Sequence, residues 1–573
     1  MAILLSPGIQ AQEVDLTTTV PAVSTSTGAL VGNFNWGPVM QVTQVTSPVG
    51  LASSFSKPDS NTANDFFTAY NYLSYSNDLQ LVRVQTGGQL NAVGNDQAPL
   101  RIDGENQYFN DYYPTVQGDY NFGARYPGAL GDSLTVYAWA NGAAWTANSS
   151  NTNDPLYTWA NYFQWAPGTS PYVKQVSNGA TVNDEVHILV VDTQGLFTGQ
   201  ANTVLEKYQG LSVLSNALGV NGQSNYYKEI IWRQSSYVFV LGVPQANTTG
   251  WGTTITAAAT SGIGHDANAN VAVMTGGAVG SAVDGDYTNA YALFTNTENV
   301  DIDLVMCSAG DATVIDYVFE NVSEKRTDCV AFASPSLTAT QDNTSPAAAI
   351  VTFAQGTYYT SYGVFDSGWK YQYDQYNDVY RWVPLNGDIA GLCAYTDQVA
   401  NPWWSPAGLQ RGLIKNCIKL AFNPSQADRN TLYSAGVNPV VTFPGQGTML
   451  YGDLTFLNYS SAFSHINVRR LFIVLEKTIS QAAQAQLFQF NDATTQAQFV
   501  NLVTPFLRQV MGARGITNFQ VVCNATNNTP AVVNANKFVG DIYVVPNYSI
   551  NFITLHFVAV QNGVSFSSVV GAI

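Results

Sequence analysis

The apolar residues of this chain come in runs of strand length, separated by polar and turn-forming residues. Residues 237–243 are a typical long run, and nowhere do 18 consecutive apolar residues occur. Because a helix needs about 20 apolar residues to cross a bilayer, we expect no membrane insertion. At roughly 100–200 residues per domain, a chain of 573 residues predicts about three to five domains.

Helix and strand patterns along the chain predict a multidomain protein of mixed α+β and α/β class. Residues 26–97 and 201–445 alternate strand patterns with helix patterns at 65–73, 203–208 and 311–318, which indicates an α/β domain. Between them, residues 98–200 are rich in Gly, Asn, Tyr and Trp and predict an inserted β-rich domain.

The last third of the chain predicts an α+β domain over residues 446–560. Its helix patterns cover residues 466–488 and 492–511, with Asp492 at the start of the second helix. Pro505 lies inside that second pattern and should kink or split the helix. A strand is expected over residues 550–560.

Both ends of the chain predict strands that belong to no domain. Residues 1–25 form an arm without helical period, and residues 561–573 end in a strand with an exposed edge. Such strands are suited to joining the sheet of another molecule. The residues expected to make these contacts are Ile9, Gln10, Ala11, Gln12, Glu13, Val14, Val564, Phe566, Ser568 and Val570.

Charge is scarce and unevenly distributed. The chain has 22 Lys and Arg against 39 Asp and Glu, a net charge of −17, which argues against direct contact with nucleic acid. Residues 411–514 are basic by comparison and could meet an acidic partner. Our candidates for that contact are Arg469, Arg470 and Lys477 on the helix pattern at 466–488; the alternative is ordinary charge on a helix surface.

No catalytic, metal or cofactor motif stands out. The four histidines are not accompanied by the serine and aspartate motifs of a catalytic triad. The five cysteines include no CxxC motif. The glycine-rich stretch at 276–280 lacks the lysine of a phosphate loop. We therefore expect a protein that is not an enzyme and has no cofactor.

Short motifs follow one another in order along nearly the whole chain. They occupy residues 6–16, 31–38, 124–132, 326–332, 382–391, 405–408, 435–439, 444–447, 466–471, 490–492 and 528–530. Together they resemble the motifs of phage contractile tail sheath proteins of the myovirus type, and are similar to those of pyocin-like sheaths. Asp132 and Gln446 depart from the family pattern, and the match is weakest between residues 135 and 320.

This resemblance implies a fold and a set of partners. It implies a subtilisin-like α/β middle domain without the triad, an inserted β-rich domain pointing outward, an inner C-terminal domain and linking arms. The subunit would form six-membered rings stacked around a tail tube protein, together with baseplate and tail terminator proteins. It would assemble in the host cytoplasm, function in the virion, and contract during genome delivery. Another structural virion protein, an adhesin or a capsid-like subunit, is the alternative.

Overall fold

The structure is a computed structural model, and it describes residues 23–94, 98–114, 122–140, 142–176, 183–241, 270–309 and 311–554. The strands among these residues are β1 Gly28–Gly32, β2 Thr43–Val45, β3 Leu79–Arg83, β4 Phe122–Ala124, β5 Leu134–Trp139, β6 Glu185–Asp192, β7 Thr203–Ser212, β8 Val238–Val240, β9 Asn270–Val273, β10 Leu304–Met306, β11 Val330–Ala333, β12 Gly363–Asp366, β13 Trp369–Asp374, β14 Val379–Pro384, β15 Lys419–Leu420, β16 Val437–Asn438, β17 Val440–Phe443, β18 Gly447–Leu450, β19 Ile516–Val522 and β20 Asp541–Pro546.

Most helices of the described residues are short. They are α1 Pro48–Phe55, α2 Ala63–Leu73, α3 Glu105–Gln107, α4 Gly142–Ser150, α5 Tyr157–Ala160, α6 Pro171–Val176, α7 Tyr227–Gln234, α8 Asp284–Tyr291, α9 Ala312–Tyr317, α10 Glu324–Arg326, α11 Leu337–Thr340, α12 Pro346–Gln355, α13 Asn386–Val399, α14 Gln426–Ser434, α15 Ile466–Ala483, α16 Ala493–Gly512 and α17 Pro530–Asn534.

A seven-stranded sheet forms the body, in the order β16-β12-β11-β10-β1-β3-β2. Its strands pair in parallel except for β2, which runs antiparallel to β3. Alternate residues of β1 enter two different cores: Leu30 packs with α2 and α13, whereas Val31 packs with α8 and α12. Helices thus cover both faces, as parallel sheets require.

A separate β-rich region interrupts the chain between β3 and β10. Its main sheet is antiparallel, in the order β7-β6-β5-β9, and β4 pairs with β8 beside it. The insertion therefore continues to β9, and the predicted boundary at residue 200 is wrong, since β6 and β7 pair across it. The helix predicted at 203–208 is part of β7. The β6–β7 ladder has two register shifts, which interrupt the strict alternation of inward and outward side chains. The apolar residues of this stretch of β7 are therefore spaced as they would be in a helix.

The C-terminal region contains α15, α16 and the two-stranded sheet of β19 and β20. The side chain of Asp492 accepts a hydrogen bond from the Thr495 amide at 2.8 Å, which confirms the predicted start of α16. The predicted split at Pro505 does not occur, because buried Val503 and Leu507 hold α16 on the core on either side of the proline.

Two further predictions about this region fail. The boundary between residues 445 and 446 falls within the hairpin of β17 and β18, where Phe443 pairs with Gly447, so the domain begins after that hairpin. The strand expected from residue 550 is absent at 550–554, and its remainder lies outside the described residues.

Candidate functional site at the root of the amino-terminal arm

The arm root, defined as residues 23–27, connects the arm to β1. Its backbone enters the seven-stranded sheet through Thr27, whose amide donates to Asp303 at 3.0 Å and whose hydroxyl donates to Asp78 at 2.8 Å. The Tyr72 hydroxyl on α2 donates to the Ser26 carbonyl at 2.5 Å. The root is therefore fixed to strands and helices of the body by polar contacts from several directions.

We call the polar side chains that hold the arm root the clamp, and Arg470 on α15 is its central residue. Its guanidinium forms two parallel hydrogen bonds with the Asp397 carboxylate, at 2.9 and 2.6 Å, and donates to the Thr25 carbonyl at 3.0 Å. The Thr25 hydroxyl donates to the same carboxylate at 2.7 Å. Burial by itself would lower the pKa of Arg470, but the adjoining Asp397 outweighs it and raises that pKa. The arm root, α13 and α15 thus share one buried ion pair.

Lys477 extends the clamp two turns further along α15. Its ammonium donates to Asp303 at 2.8 Å and also forms an ion pair with Asp301. Burial raises the pKa of Asp303 to about 6, although Lys477 opposes this rise. Asp303 therefore joins Lys477 to the Thr27 amide.

Arg469 lies on another side of the same helix. Its guanidinium stacks on the rings of Phe463 and Tyr362, at 3.8 and 4.1 Å, and donates to the Ser361 hydroxyl at 2.6 Å. Burial lowers its pKa. The predicted exposure of the three basic residues is wrong, because Arg469 and Arg470 are buried and Lys477 is nearly so. All three stabilise the subunit internally instead of forming a basic outer face.

The residues predicted to donate strands lie outside the described part of the chain, at both termini. A sheet that could accept such strands is described. Within the described ranges β19 and β20 pair only with each other, so each keeps one unpaired edge. Tyr543 and Val545 on β20 are exposed. Unpaired edges of this kind are the usual acceptors in strand addition.

The most triad-like arrangement of the described residues surrounds Asp453. Its carboxylate contacts the imidazole of His465 at 3.1 Å and accepts from the Ser549 hydroxyl at 2.6 Å. Burial alone would raise the pKa of Asp453, but these hydrogen bonds outweigh it and lower that pKa. A serine that donates to the carboxylate, not to the histidine, does not have the order of a catalytic triad. His265 and His556 lie outside the described residues.

The described ranges bear on two other classes of function. They contain no group of three or more His, Cys, Asp or Glu side chains placed to hold a metal ion. They also contain no helix that is long and apolar enough to span a membrane.

These features define a mixed α/β multidomain protein with an anchored arm, and comparisons with known proteins give its family. The phage tail sheath protein central domain matches residues 280–456, and the phage tail sheath C-terminal domain matches residues 459–559. The tail sheath protein of Vibrio phage KVP40 is 32% identical over 99% of this chain and 100% of its own length. That of Enterobacteria phage T4 is 31% identical over 99% of both chains.

The chain belongs to the phage tail sheath protein family. It is a structural subunit of a contractile tail sheath and a component of the virion tail, so the alternative of an adhesin or capsid-like subunit is set aside. The crystal structure of a sheath tail protein from Desulfitobacterium hafniense has the same fold, with a TM-score of 0.51 over 94% of this chain and all of its own, at 11% identity. The mixed multidomain fold class is thereby confirmed.

Proposed function

We propose that this subunit polymerises through its terminal strands into stacked six-membered rings around a tail tube, and that contraction drives the tube through the host envelope. The clamp at the arm root carries this proposal. A strand that links neighbouring subunits needs an anchored base, and Arg470, Asp397 and Tyr72 hold that base to the body. Load on the arm would then reach α13 and α15 directly.

The acceptor in this proposal is the sheet of β19 and β20. Within the described ranges its two edges are unpaired, and they match the two terminal strands that each subunit would donate, so every subunit would both give and receive. Main-chain pairing of this kind depends little on side chains. Such links could therefore survive when subunit bodies rotate during contraction.

The remaining parts of the subunit have proposed positions. The seven-stranded body would be the subtilisin-like domain without a triad, the inserted β-rich region would point outward, and the region of α15 and α16 would face the tube. Baseplate and tail terminator proteins would contact the two ends of the polymer. Contraction would need no nucleotide, because the extended polymer would be metastable and would relax to a more stable packing.

Proline substitution in the arm tests the proposal. Gln12→Pro removes a main-chain donor from the proposed linking strand, whereas Gln12→Thr keeps it and serves as the matched control. We expect Gln12→Pro to abolish tubular polymers in electron micrographs while the monomer keeps its circular dichroism spectrum and melting temperature. Gln12→Thr should polymerise normally. Normal polymers from the proline variant would contradict strand donation by the arm.

A further inference from the structure

A fully exposed apolar loop lies between α15 and α16. We call Leu487, Phe488 and Phe490 the knob; their exposed fractions are 62%, 102% and 88%. Residues 478–507, which carry the knob, include a single charged residue, Asp492. Large apolar side chains clustered at the surface mark interaction sites.

The backbone of the knob is also unusual. Phe488 has a φ of +66°, a left-handed conformation that bulky residues rarely adopt. Backbone conformations of this kind cluster at functional sites, where the surrounding structure maintains them. The loop therefore presents a phenyl ring to solvent in spite of an unfavourable backbone.

An aromatic groove of 1210 Å³ lies elsewhere on the same subunit. We call it the arginine groove, because Arg411 and Arg514 stack on the ring of Trp404, at 5.2 and 5.4 Å, and Arg429 stacks on Tyr451 at 5.8 Å. In the described part of the chain, none of these arginines has a carboxylate at salt-bridge distance. Among its described lining residues the groove thus offers aromatic faces and three arginines against one carboxylate, that of Asp453.

The knob and the arginine groove lie at opposite ends of one helix pair. The groove is lined by Asn467 at the start of α15 and by Arg514 just after α16, whereas the knob joins the other two ends of these helices. Because α15 has 18 residues, the ends are separated by about 27 Å. The knob of one subunit therefore cannot reach its own groove.

We infer that the knob of one subunit inserts into the arginine groove of a second copy of this chain. The phenyl rings would extend the stacks that Trp404 and Tyr451 form with the arginines, and Asp492 would bring a negative charge to a positive groove. A contact between two different surfaces repeats from copy to copy and builds rings or helices. This inference rests on the proposed polymer and identifies one of its side-chain contacts.

Photocrosslinking tests the contact directly in the full-length protein. With p-benzoylphenylalanine at position 488, we expect crosslinked dimers in which residue 488 is joined to peptides spanning 403–411, 426–434 or 451–453. Crosslinks from residue 488 only to the arms of a neighbour, only to a tube protein, or to no other chain would overturn the inference.

Variants of the knob provide a second measurement. The double variant Phe488→Gly with Phe490→Ser should raise the critical concentration for polymer formation at least tenfold, without lowering the melting temperature. Val220→Ser, at an equally exposed position outside both surfaces, is the matched control and should leave that concentration unchanged.

The knob contact and the arm-linked polymer can be tested separately. If Gln12→Pro abolishes polymers while the knob variant polymerises like wild type, the knob contact is wrong and the arm-linked polymer stands. If the wild-type chain stays monomeric at every concentration and with tube present, both are wrong.

Discussion

Replacing Asp397 by alanine removes one charge from the buried pair at the arm root. The side chains of Arg470 and Asp397 are only 4% and 9% exposed. The substitution leaves the Arg470 guanidinium without its two carboxylate hydrogen bonds, and it leaves the Thr25 hydroxyl without an acceptor. The Arg470 guanidinium keeps only the Thr25 and Cys393 carbonyls as hydrogen-bond acceptors.

The free-energy cost of Asp397→Ala follows from the burial of the ion pair. Removing one partner of a buried ion pair costs about 3–5 kcal/mol, because the other charge stays uncompensated. Arg470→Met should cost a similar amount. The double variant Arg470→Met with Asp397→Ala should cost much less than the two single changes together, since it leaves no isolated charge; we expect a coupling energy of about 3 kcal/mol.

Hydrogen exchange measured by mass spectrometry is the suitable assay, because a chain of several domains does not unfold in one step. The opening free energy of peptides covering 23–32 and 466–483 should fall in both single variants. Peptides of β5 and β6 in the inserted region should be unaffected. Arg508→Ala is the control, since Arg508 is exposed on the adjoining α16 and should change opening by less than about 0.5 kcal/mol.

A free-energy cost below about 1 kcal/mol for Asp397→Ala, or one no larger than that of Arg508→Ala, would contradict a buried, unscreened ion pair. Either outcome would mean that water reaches the pair and screens it. If the free-energy costs of the two single variants add up to the cost of the double variant, the two charges act independently, which would also contradict a coupled pair.

Three further changes give simpler tests. Burial raises the pKa of Asp366 from 3.8 to about 8, so its stabilising effect is complete below about pH 4 and is lost as pH rises to 8. The opening free energy of a peptide covering 363–374, measured by hydrogen exchange, should fall over this range by up to about 1.4 kcal/mol per pH unit, and Asp366→Asn should flatten the slope. Gly387→Ala would place a Cβ against the Thr68 carbonyl oxygen and should cost about 1–3 kcal/mol, measured as faster hydrogen exchange of a peptide covering 386–399. Ser425→Ala removes the cap of α14 and should cost about 1 kcal/mol, measured as faster exchange at 426–434.

Local patterns predicted much of the secondary structure. Helices α2, α9, α15 and α16 lie close to their predicted positions, because each has a sequence signal within a few residues, such as the capping Asp492. The extent of the insertion was not predictable in this way. It depends on the pairing of β1 with β10, strands about 270 residues apart, and no local pattern records such a pairing.

The charged residues of α15 show why the clamp was missed and what could have revealed it. Leu471 and Leu475 mark one apolar face of α15, yet Ile466 and Ile473 are also apolar and lie on the opposite side of the helix. A helix that is apolar all round is buried, and a buried arginine requires a partner. That partner, Asp397, is 73 residues away, so the sequence could have predicted that Arg470 is paired but not with which residue. Since the pair also holds Thr25, the basic residues of α15 connect the amino-terminal arm to the body, and charge reversal at Arg470 would disturb folding before it could report on a tube contact.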